Sequence, residues 1–121
     1  MLDIYIDIMD FPTWRQKWQN SILMTIILKR LSESQTYGRE VVEYTQQLLG
    51  SEIKIPTVYS MLKRLNEGDY IETIGEKSKA PETRGTRRKY YELTSSGKQY
   101  LTDVRQVLGK SMEIIEMVMK E

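Results

Sequence analysis

The chain has 121 residues, of which 40% are hydrophobic and 29% charged, a composition typical of a single soluble globular domain. It contains neither cysteine nor histidine, which excludes disulfides, Cys/His zinc sites and any catalytic triad built on imidazole. With 18 Lys+Arg against 17 Asp+Glu the net charge is +1, so any affinity for nucleic acid has to come from an uneven distribution of charge.

Nothing in the sequence indicates export, membrane insertion or catalysis. The longest apolar stretch lies within residues 22–28, and the amino terminus is acidic rather than basic. We see no phosphate-binding glycine loop, nucleophile–base pair or metal-ligand cluster. We therefore expect a cytoplasmic protein with no membrane partner, no cofactor and no metal, and an enzyme is the remotest interpretation.

Residues 1–12 are interpreted as an amino-terminal arm ahead of the first helix. Apolar and polar residues roughly alternate there, which is typical of a half-buried strand or a docking arm. Packing on the body of the protein is the simplest role for it. Pairing with a neighbouring strand, packing on a dimer and occupying a binding surface stay open.

A first helix is predicted from Thr13, as its N-cap, to about Leu31. Gln16 stands three residues after Thr13, as a capping box requires. Trp14 and Trp18 share one face of this helix. Its later turns carry a broad apolar surface that the rest of the fold has to cover: Ile22, Leu23, Ile26, Ile27 and Leu31.

Two shorter amphipathic helices follow. Thr36 can cap the second helix, which ends at Gly50 in a left-handed conformation. Its apolar residues recur at helical spacing: Tyr37, Val41, Tyr44 and Leu48. Pro56 suits the first turn of the third helix, and Asn66 and Gly68 end it. The buried stripe predicted for the third helix consists of Val58, Met61, Leu62 and Leu65.

After Gly68 the pattern becomes extended. Residues 70–74 and 87–94 are rich in Tyr, Ile and Thr and predict a two-stranded hairpin with a long polar loop. Thr94 can cap a last helix that runs to the carboxyl terminus. At about 25 residues that helix would be about 38 Å long, longer than the body of so small a domain, so its overhang needs a partner.

The order helix, helix, helix, hairpin, long helix is that of a winged helix-turn-helix with a dimerisation helix. The predicted fold is therefore mainly α with a β wing. Its parts are the arm (1–12), a DNA-binding domain (13–94) and a dimerisation helix (95–121).

Basic residues concentrate in two parts of this arrangement. Opposite its buried stripe the third helix presents Thr57, Ser60 and Arg64, flanked by Tyr59 and Lys63, and residues 54–64 hold three bases and no acid. Such side chains reach phosphates and base edges. Residues 77–91 of the hairpin carry six bases against the single acid Glu82: Lys77, Lys79, Arg84, Arg87, Arg88 and Lys89. Basic wings can follow the DNA backbone or enter a minor groove. The alternative interpretation is an ordinary solvated face for the third helix and a solvated loop for the hairpin.

Three segments resemble PadR-type transcriptional regulators. They are Tyr37-Gly38-Arg39-Glu40, then Thr57-Val58-Tyr59 with Leu62-Lys63-Arg64-Leu65-Asn66-Glu67-Gly68, and Arg87-Arg88-Lys89-Tyr90-Tyr91-Glu92-Leu93-Thr94-Ser95-Ser96-Gly97. The resemblance covers about residues 21–121, and the wing segment is its most specific part. It implies a dimeric winged-helix DNA-binding protein, usually a repressor, whose short members keep one carboxyl-terminal helix for dimerisation.

The resemblance also implies which residues lie near DNA. They are Tyr37, Thr57, Tyr59, Lys63, Arg64 and the cluster Arg87 to Lys89, to which we add Thr36, Lys54, Ser60 and Arg84. Two parts of the chain depart from the family pattern. Lys54-Ile55-Pro56 stands where the family usually has a small polar or acidic residue and a glycine, which alters the capping of the recognition helix. The amino-terminal arm is the second part of the chain that departs from the family pattern.

The last helix is predicted to form a two-fold seam between two copies while also packing on its own chain. The seam residues are Leu101, Val104, Leu108, Met112, Ile115 and Val118. A dimer would place two recognition helices about 34 Å apart and bind a pseudo-palindromic operator.

Some PadR-like proteins bind aromatic small molecules at the dimer interface, and Trp14 and Trp18 with Met112 could line such a pocket for an effector. Aromatic residues four apart are more often packing residues.

Together these features predict a homodimeric repressor that binds double-stranded DNA with its third helix in the major groove. The rival interpretation is a winged-helix protein-interaction module, in which the hairpin and the acidic arm bind protein. The near-zero net charge keeps the rival open, whereas the basic polarity of residues 77–89 argues against it.

Overall fold

The computed structural model describes the backbone of residues 10–78 and 87–121 and the side chains of residues 10–74 and 89–121. Its elements in chain order are helix α1 (Phe11–Glu33), strand β1 (Thr36–Tyr37), helix α2 (Gly38–Leu49), helix α3 (Ile55–Glu67), strand β2 (Ile71–Ser78), strand β3 (Arg87–Leu93) and helix α4 (Ser95–Met119). The predicted winged helix-turn-helix is confirmed. Most of the predicted arm (1–9) and part of the predicted loop (79–86) lie outside the described residues.

The wing is a three-stranded antiparallel sheet in the order β1-β3-β2, where the sequence predicted two strands. Thr36 pairs with Tyr91 and Tyr37 with Tyr90, so β1 extends the hairpin on the β3 side. A strand of two residues is too short to show any periodicity, which is why the sequence pattern missed it. Strand β2 runs on to Ser78, beyond the predicted end at residue 74, and carries a one-residue bulge between Thr73 and Glu76.

Helix α1 begins at Phe11, earlier than predicted. Asp10 is its N-cap, because the Thr13 N–H donates to Asp10 Oδ1 at 2.9 Å and the Thr13 hydroxyl donates to Asp10 Oδ2 at 2.8 Å. These two hydrogen bonds hold the pKa of Asp10 below its ordinary value. The prediction of Thr13 as the cap was wrong because proline fits the first turn of a helix, so Pro12 does not delay its start.

The prediction of Thr36 as the cap of α2 was also wrong. Its side chain is fully buried in β1, where the hydroxyl donates to the Ser34 carbonyl at 3.2 Å, and no side chain of the described residues caps α2. The predicted stripe was partly wrong, since Leu48 is 56% exposed while Val42 and Thr45 are buried. Gly50 has a positive φ of 90°, as predicted, but its ψ of 168° lies outside the left-handed helical conformation.

A single core fixes α1, α2, α3 and the base of the wing. Its most deeply buried side chains are Leu23, Ile27, Leu28, Val41, Val58, Leu62 and Ile71. The predicted stripe of α3 is confirmed, with Met61 half-buried beside it. Because one side of α3 is committed to this core, the opposite side has to face solvent.

Helix α4 begins at the predicted cap and spans 25 residues. The Thr94 hydroxyl accepts from the Gly97 N–H at 3.0 Å and donates to the Asp69 carbonyl at 2.6 Å, which ties the first turn to the connection after α3. Leu101 is 8% exposed and belongs to the core of its own chain. From Gly109 onward every residue is exposed. In the described part of the chain, no helix has the length and apolar character needed to cross a membrane.

Candidate nucleic-acid interface

The outward side of α3 carries most of the side chains predicted to lie near DNA. Lys54, Tyr59, Ser60, Lys63 and Arg64 are exposed, and Thr57 is half-buried. This arrangement follows from the helical period, because the positions between them are committed to the core.

Most of the positive charge on this face is available to a ligand. Lys63 Nζ lies 4.0 Å from Glu67 Oε1, an exposed pair that solvent screens strongly. Among the described residues neither Lys54 nor Arg64 has an ion-pair partner. The face is therefore a cationic surface ready to meet a polyanion.

Helix α3 begins within Lys54-Ile55-Pro56, the segment in which this chain departs from the PadR pattern. Lys54 is the N-cap residue and contributes no side-chain cap, while Pro56 occupies the first turn. Proline has no N–H, so it removes one of the donors that a side-chain cap would otherwise have to satisfy. The Lys54 carbonyl accepts from the Thr57 N–H at 3.0 Å, which closes the first turn.

Four tyrosines gather where α2, α3 and the wing meet. The Tyr59 ring lies against the backbone of Gly38 at the start of α2. The Tyr37 and Tyr90 rings meet edge to face, with centroids 5.7 Å apart. Tyr91 is buried, and that burial, together with the neighbouring Tyr59, raises the pKa of its hydroxyl. The Tyr59 ring of the recognition helix thus packs against the start of α2, next to the residues that join the wing.

Asn20 of α1 belongs to this surface and was not predicted. It lines a hollow of about 360 Å³ together with Pro56, Thr57, Ser60, Met61 and Arg64. Gln16 Nε2 donates to Asn20 Oδ1 at 3.2 Å, which orients the amide. The helical period contained the signal, since Asn20 stands three residues before the buried Leu23 and so shares its face.

In the wing, the basic residues of β2 and β3 lie at paired positions on adjacent strands. In the sheet, Arg88 pairs with Lys77 and Arg87 with Ser78. Lys89 is exposed. Arg84 and the side chains of Arg87 and Arg88 lie outside the described residues. Thr36 is removed from the predicted interface because a fully buried side chain cannot reach a ligand.

An apolar groove of about 800 Å³ separates α1 from α4. Its lining includes Trp18, Ile22, Val104, Leu108, Met112 and Ile115. Of the predicted seam, Val104 and Leu108 are half-buried, Met112, Ile115 and Val118 are exposed, and Leu101 packs in the core of its own chain, the first of the two places predicted for it. Trp14 is not part of the lining, because it lies one turn nearer the start of α1, where it stacks on Trp18 at 6.0 Å and on Phe11 at 6.2 Å.

Known proteins share both the sequence pattern and the fold of this chain. Residues 27–103 match the Transcriptional regulator PadR-like family. The chain is 33% identical over 101 residues to an uncharacterized protein of Lysinibacillus sphaericus, covering 81% of this chain and 88% of that protein.

Two solved structures illustrate the likeness of fold. A PadR-like transcriptional regulator from Bacillus cereus superposes with a TM-score of 0.71 at 23% identity, covering 84% of this chain and 94% of the other. Bacillus subtilis PadR in complex with operator DNA superposes with a TM-score of 0.58 at 28% identity, covering 68% of this chain and 45% of PadR. The resemblance predicted from the sequence is confirmed, and since the family consists of transcription regulators and not of enzymes, this chain belongs to the PadR-like family of transcriptional regulators.

Proposed function

We propose that this regulator binds double-stranded DNA as a homodimer and represses transcription from a pseudo-palindromic operator. The observation that carries the proposal is the outward side of α3, where residues 54–64 are rich in bases and contain no acid. The likeness to Bacillus subtilis PadR, whose structure holds operator DNA, supports DNA as the ligand.

In this proposal α3 enters the major groove. The hydroxyls of Thr57 and Ser60 and the guanidinium of Arg64 face outward together and would contact phosphates or base edges, with Arg64 able to read guanine through two hydrogen bonds. Lys54, just before the helix, and Lys63, in its second half, would add phosphate contacts. The basic wing would follow the backbone or enter the minor groove beside it.

The apolar groove between α1 and α4 supports dimerisation. Its far end is formed by Met112 and Ile115, which are exposed although both are apolar. A second copy related by a two-fold axis would lay its own α4 along this surface and bury the same residues on both chains. Two recognition helices would then meet successive turns of the same face of DNA.

The first test is fluorescence anisotropy on labelled DNA from the protein's own upstream region, against scrambled competitor, at about five salt concentrations. If each dimer neutralises about 6 to 10 phosphates, log affinity should fall against log salt with a slope of about −5 to −9. Binding should resist the scrambled competitor, since specific sites bind far more tightly than random DNA.

A charge-reversed variant localises the interface. Lys63→Glu combined with Arg64→Glu should abolish specific binding, because it places two acids on the face that meets the phosphates. Lys110→Glu in α4 combined with Lys120→Glu just after the helix makes the same change of charge far from α3 and should retain most of the affinity. Equally weak binding to both DNAs, unchanged by the Lys63/Arg64 variant, would favour the protein-interaction module instead.

A further inference from the structure

Gly38, the first residue of α2, lies directly beneath the Tyr59 ring of α3. A Cβ atom at the ideal position on Gly38 would stand 2.7 Å from Tyr59 Cε1 and 3.3 Å from both Cζ and Oη of that ring. The first of these distances is shorter than a Cβ atom tolerates, so a side chain at this position would have to displace the ring.

Backbone conformation does not account for the glycine. Within the described residues the only glycine with a positive φ is Gly50, and Gly38 has the backbone of an ordinary first helical residue. Alanine is the better helix former. The glycine is therefore explained by the space that the Tyr59 ring occupies and not by the path of the chain.

Core stability does not account for it either. Tyr59 is 43% exposed and its ring forms the end of a side chain, so it could swing toward solvent and make room for a methyl group. That movement would change the position of the ring but leave the core side chains of α3 in place. The absence of a side chain at Gly38 therefore matters for where the exposed Tyr59 ring lies.

That tyrosine stands within the proposed DNA-binding surface, beside Ser60 and one turn before Lys63. Its hydroxyl makes no hydrogen bond to any other group in the described part of the chain, and a Tyr hydroxyl is a suitable donor to a phosphate oxygen. We propose that Gly38 is a positioning residue of the DNA-binding surface, lacking a side chain so that the Tyr59 ring can rest on the start of α2 and direct its hydroxyl to a DNA phosphate. This inference rests on the proposed function.

The test compares Gly38→Ala, Tyr59→Phe and the double variant with the wild type, using Gly109→Ala as the matched control because nothing lies within 4 Å of a Cβ atom there. Each full-length protein is measured for affinity to the same labelled DNA and for its melting temperature. Gly38→Ala should weaken binding about tenfold, the value of one hydrogen bond to a charged group, without lowering the melting temperature. Tyr59→Phe should weaken binding by a similar factor.

The double variant separates positioning from a structural role. If Gly38 acts through the Tyr59 hydroxyl, adding Gly38→Ala to Tyr59→Phe should change the affinity by less than about twofold. Independent losses that multiply, a lowered melting temperature or wild-type affinity in Gly38→Ala would each overturn the inference. NMR of labelled tyrosine rings in the free protein should show the Tyr59 resonances shifted by Gly38→Ala, and unshifted resonances would also overturn it. A wild type that fails to bind DNA at all would instead contradict the proposed function.

Discussion

Gly38 and Gly97 are both crowded, but by different kinds of atoms. A Cβ atom on Gly97 would collide with the backbone carbonyl of Tyr70 and come within 2.9 Å of Leu93 Cδ2, whereas at Gly38 it would meet an exposed ring. Backbone held by a core cannot swing aside as a surface ring can. Substitution by alanine should therefore lower the stability of the protein at Gly97 and weaken ligand binding at Gly38.

Gly97→Ala should destabilise the protein by about 2 to 3 kcal/mol, because the first turn of α4 would have to move off the connection between α3 and β2. Urea unfolding followed by circular dichroism measures the change. Gly109→Ala, in open space on the same helix, should instead stabilise by about 0.5 to 1 kcal/mol. Equal stabilities for the two variants would show that α4 is not seated closely on that connection.

Individual residues could be predicted from the sequence where their partners are local. Thr94 was identified as a cap because the N–H that its hydroxyl accepts belongs to Gly97, three residues away. Thr36 was misassigned because its place is decided by pairing with Tyr91, far along the chain. For Leu101 the sequence left packing on its own chain and packing on the seam open, since only the assembled core shows that its own chain covers it. Gly38 gave no signal, because the residue that crowds it lies on another helix.

Among the elements, the helices follow from their apolar spacing and caps, while the sheet depends on pairing that no local pattern reports. The α3 stripe and the start of α4 were predicted from residues within one or two turns of each other. Strand β1 exists because β3 offers it an edge, and its two residues carry no periodicity of their own. The charge of residues 77–91 was predictable at the level of composition alone, as six bases against one acid.

The wing should contribute to DNA binding through its charge. Replacing Arg87 and Arg88 with Ala should flatten the dependence of log affinity on log salt by about one for each phosphate that the wing no longer neutralises. The measurement is the same anisotropy titration across salt. Lys110→Ala in α4 with Lys120→Ala just after the helix removes the same total charge and should leave the slope unchanged. An unchanged slope in the Arg87/Arg88 variant would mean that the wing does not touch the DNA backbone.

Beyond the body of the domain, α4 presents two unlike faces. One face continues the apolar groove and includes Ile115, which is 58% exposed. The other carries Lys110 and Glu113, with Met117 on the same side at helical spacing. A two-fold dimer would cover the first face and leave the second in water, so the two faces should respond differently to a new charge.

Ile115→Glu should therefore convert the protein to a monomer at micromolar concentration, because it would bury a carboxylate in an apolar seam on both chains. Light scattering measures the mass. Affinity for a two-half-site operator should fall by roughly 100-fold, since the second recognition helix is no longer tethered to the first. The helical signal in circular dichroism should be retained, because Ile115 is not part of the core.

Met117→Glu makes the same change two residues further on and should stay dimeric with wild-type affinity, since its side of α4 already carries charged residues. The comparison separates the geometry of the seam from a general effect of charge on α4. A monomeric wild type, or an Ile115→Glu variant that keeps both its dimeric mass and its affinity, would show that the groove between α1 and α4 is not where two copies meet. The spacing of the recognition helices, and with it the pseudo-palindromic operator, would then need a different origin.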